Sequence, residues 1–418
     1  MSDVRHLFTS ALVLAALQAT GTQALANEAS DSPAIESDME SSFGELFGSF
    51  SLELRYFPRA PLFADQPRHV STSLAFEPEY SLNLEPRLVA RAVGFIRLDD
   101  SDPERSHADA REARLEWRLG AWTLNLGFHQ IFWGVTESRH LVDIVNQDDF
   151  VEDIDGEENL GQLMEMLSYS HPGAGLFDVF LMTWFRPRIF PGLGGRPRLP
   201  LPVLSNDPTY ESNLRRWQPD VALRWSHHLG QFDWALSYFY GTSREPELVP
   251  VLGANGPALQ PRYDLIHQGG LELQWTTASW LWKLEAITRS GQGPAFVAAT
   301  GGFEYVVSSV LGSNVDAGPV VEYSYDGREN QTFNVFDHDI FGGIRVALND
   351  DSDTQMLAGA LTDVESGAVF GAVEASRRLG DNWKLALDGR FFVSDDPSEP
   401  HYYFRRDHYL QLDLQYRY

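Results

Sequence analysis

Residues 406–418 read Arg-Asp-His-Tyr-Leu-Gln-Leu-Asp-Leu-Gln-Tyr-Arg-Tyr, from Arg406 to Tyr418. In an extended chain Leu410, Leu412, Leu414, Tyr416 and Tyr418 share one face. Tyr409, Gln411, Asp413, Gln415 and Arg417 share the other. Side chains alternate sides along a strand, so this period of two predicts a β-strand with one oily and one wet face.

The stretch resembles the closing strand of bacterial outer-membrane β-barrels. In that family a C-terminal aromatic on the lipid face is the insertion signal, which implies the barrel-assembly machinery as a partner. The other end of the chain fits export. Arg5 and His6 precede an apolar run from Ala11 to Leu17, and Ala24-Leu25-Ala26 follows. A basic start, an apolar core shorter than the roughly 20 residues of a spanning helix, and a small-x-small site predict a signal peptide over 1–26. Asp3 departs from the usual pattern. Residues 27–48, rich in Ser, Glu and Asp, predict a disordered periplasmic linker. Residues 49–418 predict the barrel.

There are no cysteines, so neither a disulfide nor a thiolate metal site can form. A closed barrel satisfies its own backbone and needs neither. The net charge of −27 opposes nucleic-acid binding. It predicts acidic outer loops in contact with outer-membrane lipid and lipopolysaccharide.

From residue 49 the chain repeats one unit: strand, short turn, strand, long polar loop. The predicted strands are 49–57, 72–83, 86–97, 108–119, 121–131, 163–171, 175–186, 219–228, 231–242, 265–276, 280–290, 296–309, 318–326, 338–349, 354–363, 367–378, 383–394 and 406–418. That is an all-β, antiparallel, up-and-down transmembrane barrel of about eighteen strands, with sixteen as the alternative. The alternation of loop lengths places both chain ends in the periplasm. Trp117, Trp122, Trp225, Trp234, Trp275, Trp280 and Trp383 flank the short turns. With Tyr418 they predict membrane-interface anchors at one rim.

Charge decides which face is inside. On 108–119, Ala113, Leu115, Trp117 and Leu119 alternate with Glu112, Arg114, Glu116 and Arg118. An arginine in hydrocarbon near the midplane costs roughly 2–4 kcal/mol, so the charged face lines the lumen. Arg87, Arg91 and Arg97 follow by the same reasoning, and with Arg114 and Arg118 they predict a basic ladder on one wall. The lumen is then polar with both signs. It is a water-filled pore, a loop-plugged pore or a salt-bridge network.

Two long loops stand out. Residues 132–162 carry Asp143, Asp148, Asp149, Glu152, Asp153, Asp155, Glu157 and Glu158. A solvated acidic loop is one reading and weak Ca²⁺ binding another; the spacing does not fit an EF-hand. Residues 186–202 place Arg186, Arg188, Arg196 and Arg198 on Pro-stiffened backbone. An acidic loop (Asp148, Asp149, Asp153, Asp155) facing these arginines predicts a charged constriction.

The segment His129-Gln130-Ile131-Phe132-Trp133-Gly134, followed by Thr136-Glu137-Ser138 and Asp143-Ile144-Val145-Asn146, resembles porin-like outer-membrane proteins of unassigned substrate. In overall architecture the chain is similar to alginate-export and substrate-specific porins. That resemblance implies a passive channel for small polar or charged solutes. A plugged structural or adhesive barrel is the alternative. No enzyme is expected: His129, Ser138, His140 and Asp143 form no known catalytic spacing, and neither Gly-x-Ser-x-Gly nor His-Glu-x-x-His occurs.

Overall fold

The computed structural model describes residues 44–154, 156–328, 338–397 and 400–418. The expected leader, most of the expected linker, and Asp155 lie outside the described residues.

In chain order the strands are β1 Glu45–Tyr56, β2 Val70–Glu85, β3 Leu88–Asp99, β4 Ala108–Leu119, β5 Trp122–His129, β6 Gln162–His171, β7 Gly175–Met182, β8 Thr209–Tyr210, β9 Asp220–Leu229, β10 Phe232–Thr242, β11 Glu247–Gly253, β12 Gly256–Tyr263, β13 Leu265–Thr276, β14 Trp280–Gly291, β15 Gly293–Tyr305, β16 Asp316–Asp326, β17 His338–Ala347, β18 Gln355–Asp363, β19 Val369–Leu379, β20 Trp383–Val393 and β21 Tyr409–Arg417. Eighteen of these form one antiparallel sheet, each paired with its neighbour. The sheet closes on itself because β1 pairs with both β2 and β21. Ser49 lies opposite Arg417 and Tyr56 opposite Leu410. Closure leaves no strand edge, so every strand finds partners within the sheet.

The alternation sorts as the sequence predicts. Phe50, Leu52, Leu54 and Tyr56 are exposed outside, while Ser49, Ser51, Glu53 and Arg55 are buried inside. A water-soluble core would have the opposite polarity. An apolar exterior around an ionic interior is the arrangement a hydrocarbon surround requires.

All the predicted tryptophans lie near the short turns, and most are exposed. Several stack in pairs: Trp225 on Phe177, Trp275 on Phe232, and Trp280 beside Trp282. Toward the long-loop end, two tyrosine–histidine pairs lie on the outer face, Tyr238 with His267 and Tyr323 with His338. Glu165 breaks the oily run of its strand. It is exposed on the outer face between Leu126 and Leu181.

The departures from expectation are local. The first strand begins at Glu45, inside the segment read as linker. The strands expected over 121–131 and 175–186 stop at His129 and Met182, where the chain turns inward or into outer loops. The loop between β10 and β13 carries the β11–β12 hairpin, which joins β8 in a separate three-stranded sheet. On β4 the register slips between Val93 and Gly94 of the partner strand. This bulge turns both Arg111 and Glu112 inward; Arg111 is 1% exposed and lies 3.9 Å over the Phe95 ring. A bulge breaks the period of two, so alternation alone assigns Arg111 to the wrong face.

Candidate functional site

The lumen is neither uniformly polar nor open. The inner wall from β6 to β15 carries Met164, Phe180, Phe239, Ile266, Ile287 and Phe296 in one apolar cluster. The loop 130–161 covers it with Trp133, Leu141, Val142, Ile144 and Val145. The expectation of a polar bore is therefore corrected: the wall from β6 to β15 carries an apolar patch, and the loop packs on it.

Two wall carboxylates hold the bend of this loop. Glu285 accepts the backbone N–H of Val135 at 2.7 Å and of Thr136 at 3.0 Å, and the Thr136 hydroxyl at 2.7 Å. Its second oxygen accepts the Val142 N–H at 3.2 Å. Glu322 accepts the N–H groups of Glu137 and Ser138, each at 2.8 Å, and the Ser138 hydroxyl at 2.7 Å. A loop taken out of water must find partners for its amides, and these carboxylates supply them. Asn146 stitches the base, donating to the carbonyls of His129 and Leu160 and accepting from Ile131 N–H.

The acidic half of the loop docks on the opposite wall. Glu152 meets Arg97 at 2.6 Å, and Arg97 and Arg105 both meet Glu53, at 2.9 and 2.7 Å. Asp149 lies 3.3 Å from His107, and Asp153 lies 3.5 Å from Arg390. Burial opposes protonation of His107, but the hydrogen bond and charge of Asp149, with Glu152, raise its pKa. His107, Asp149 and Glu152 bring ligand-type atoms within 4.8 Å of one another. Arg97 also pairs with Glu152, and the charge of Arg111 reaches Asp149, so the geometry is that of an ion-pair cluster.

The other predicted site residues divide. Arg91, Arg114 and Arg118 do align, but as a ladder interleaved with Glu79, Glu112 and Glu116. Arg87 is exposed in a short turn. Arg188 reaches Asp148 and joins the basic loop to the acidic one. Arg186 turns to Asp109. Arg196 is fully buried against Asp407 at 2.8 Å, and Arg198 bonds the Leu193 and Leu199 carbonyls. These last two brace the outer loops rather than face the acidic one. Ser138 and His140 lie on the same loop but engage different wall glutamates, Glu322 and Glu285.

The filling loop leaves space against β17–β20. A chamber of about 590 Å³ remains there. Register explains its shape. Phe341, Leu361, Phe370 and Phe392 are direct cross-strand neighbours on four adjacent strands and form one apolar row. The next row toward the short turns is Gly343, Gly359, Ala372 and Arg390. Its glycines make room for the Phe341 ring: a Cβ on Gly359 would come within 2.5 Å of it. The row below is Arg345, Leu357, Glu374 and Asp388. Across the chamber stand Arg289 and Arg328, which share Glu245 at 2.7 and 2.8 Å. Burial works against the Glu245 charge, but Arg328, Arg289 and Arg139 hold its pKa well below the ordinary value. His140 and Asp143 also line the space. Burial opposes the His140 charge, yet Glu157 and Glu285 raise its pKa well above the usual imidazole value. Burial pushes the Asp143 carboxyl up to about 8, against the attraction of His140.

No family model matches the sequence, and no curated protein is similar to it. Solved structures do match in fold. The chain is similar to Wzi of Escherichia coli, described as an outer-membrane protein involved in group 1 capsule assembly and a carbohydrate-binding β-barrel, with a TM-score of 0.51 at 11% identity over 88% of this chain and 83% of that one. It also matches OprB of Pseudomonas putida, with a TM-score of 0.46 at 11% identity over 90% and 94% of the two chains. A variant of the Rhodopseudomonas blastica porin matches with a TM-score of 0.43 at 10% identity over 90% and 100%. At these identities the likeness is one of fold: a porin-like, closed antiparallel barrel.

Proposed function

We propose that this protein is a solute-selective channel of the bacterial outer membrane. The observation that carries the reading is the chamber of about 590 Å³ left where the loop 130–161 leans to one side of the bore. A barrel built only to scaffold or adhere has no need of an aromatic row, a small-residue row and an ionic row in register on one wall. The oily exterior with its tryptophans along the short-turn rim supports placement in a bilayer. The loop narrows the bore, so passage favours small solutes that fit a two-faced space over bulk electrolyte.

Planar-bilayer recording tests this. Purified, folded protein is expected to give stepwise single-channel current, smaller than that of an unobstructed barrel of eighteen strands. Folded protein that inserts without current above background would overturn the channel and leave a plugged scaffold.

A further inference from the structure

The chamber's ionic end has acceptors to spare. Glu137 lies on the filling loop, lines the chamber and has a side chain only 6% exposed. One of its oxygens serves Arg345 at 2.6 Å and Lys283 at 3.5 Å. The other, Oε1, is buried with no hydrogen-bond partner among the described residues. Glu374 lines the same chamber from β19; its Oε1 meets Arg390 at 2.9 Å, and its Oε2 is buried and likewise unpartnered. The like charges of Glu137 and Asp153 reach Glu374.

Charge points the same way. Lys283 and Arg345 serve Glu137 and Glu304, while Arg390 serves Asp153 and Glu374. Among the described residues these ion pairs set four carboxylates against three cations. A buried carboxylate oxygen without a donor is costly. A ligand that brings a donor and a positive charge removes both deficits.

Beyond the ionic row the β17–β20 wall presents mainly apolar side chains, Phe341, Leu361, Phe370 and Phe392, backed by Phe404, with His401 stacked on Phe370. Phe370 stacks on Phe392 at 5.4 Å. We infer that the chamber takes an organic cation: a protonated amine on a small apolar or aromatic body, its ammonium between Glu137 and Glu374 and its body on the phenylalanine row. Aromatic faces add attraction for the cation's edge. A carboxylate would meet unpaired acceptors of its own sign. A sugar would satisfy those acceptors but bring no positive charge to the excess carboxylate. The inference rests on the channel reading only for the claim that the bound solute passes through.

Titration calorimetry on detergent-folded protein tests the site with benzylammonium, benzyl alcohol, benzoate and glucose as probes. Benzylammonium is expected to bind at least tenfold tighter than the other three. Glu374→Gln is expected to weaken it about tenfold, and Phe370→Ala severalfold. Equal affinities, tighter binding of benzoate or glucose, or full retention in both variants would overturn the inference. If a variant fails the heat-modifiability check for folding, the comparison of probes on the wild-type protein decides alone. Benzylammonium binding without bilayer current would uphold the site and reject the channel; current without benzylammonium preference would do the reverse.

Discussion

Glu285 on β14 accepts the backbone N–H of Val135 at 2.7 Å, joining the barrel wall to the loop that fills it. With its bonds to Thr136 and Val142, this carboxylate fixes the bend of the loop from a strand remote in sequence.

Removing that anchor tests whether the loop and the barrel are separable. Glu285→Ala leaves several buried amides without an acceptor, at about 1–3 kcal/mol for each group left unsatisfied. The strand ladder is untouched. The barrel is therefore expected to remain heat-modifiable while the loop undocks, raising single-channel conductance and current noise. Unchanged conductance in folded protein would contradict the anchoring role.

Asp143 predicts a pH dependence. Its folded pKa, about 8, lies above the ordinary carboxyl value of 3.8. The folded protein therefore holds a proton that the unfolded chain releases between those values, and stability from this group falls as pH rises from about 4 to about 8. Asn mimics the protonated form. Asp143→Asn is expected to match the wild type in thermal midpoint at pH 4 or below and exceed it at pH 9. A variant equally shifted at both pH values would contradict the raised pKa.

Much of the barrel was legible. The strands over 108–119 and 265–276 were placed to the residue, and the inward arginines and glutamates followed from the cost of charge in hydrocarbon. A loop-plugged pore is among the readings the sequence supports, and the apolar run Leu141, Val142, Ile144 and Val145 is what marks this loop as the one that packs inside. A solvated loop has no use for such a run. The inward phase of Phe180, Phe239, Ile266 and Ile287 was the matching signal on the wall. Arg111 was missed because a bulge leaves no trace in alternation. The chamber is not legible in the sequence: its wall depends on Phe341, Leu361, Phe370 and Phe392 falling in one row, which only cross-strand register decides.

Glu165 offers a test of the outer surface. A carboxylate on the hydrocarbon face is unfavourable, less so toward a rim than at the midplane. Glu165→Leu is expected to stabilise the folded protein by about 1 kcal/mol, measured by denaturant unfolding in lipid vesicles. A loss of stability would contradict the assignment of this face to lipid.

If the protein is a channel, solutes pass along the β17–β20 side of the bore. The chain has no cysteine, so a single introduced thiol reports one position without background. Ala372 lines the chamber between its aromatic and ionic rows. Single-channel recording of Ala372→Cys before and after a bulky, charged thiol reagent is the direct measurement. Modification is expected to block most of the current. Modification that is complete by mass yet leaves the current unchanged would show that the path lies elsewhere.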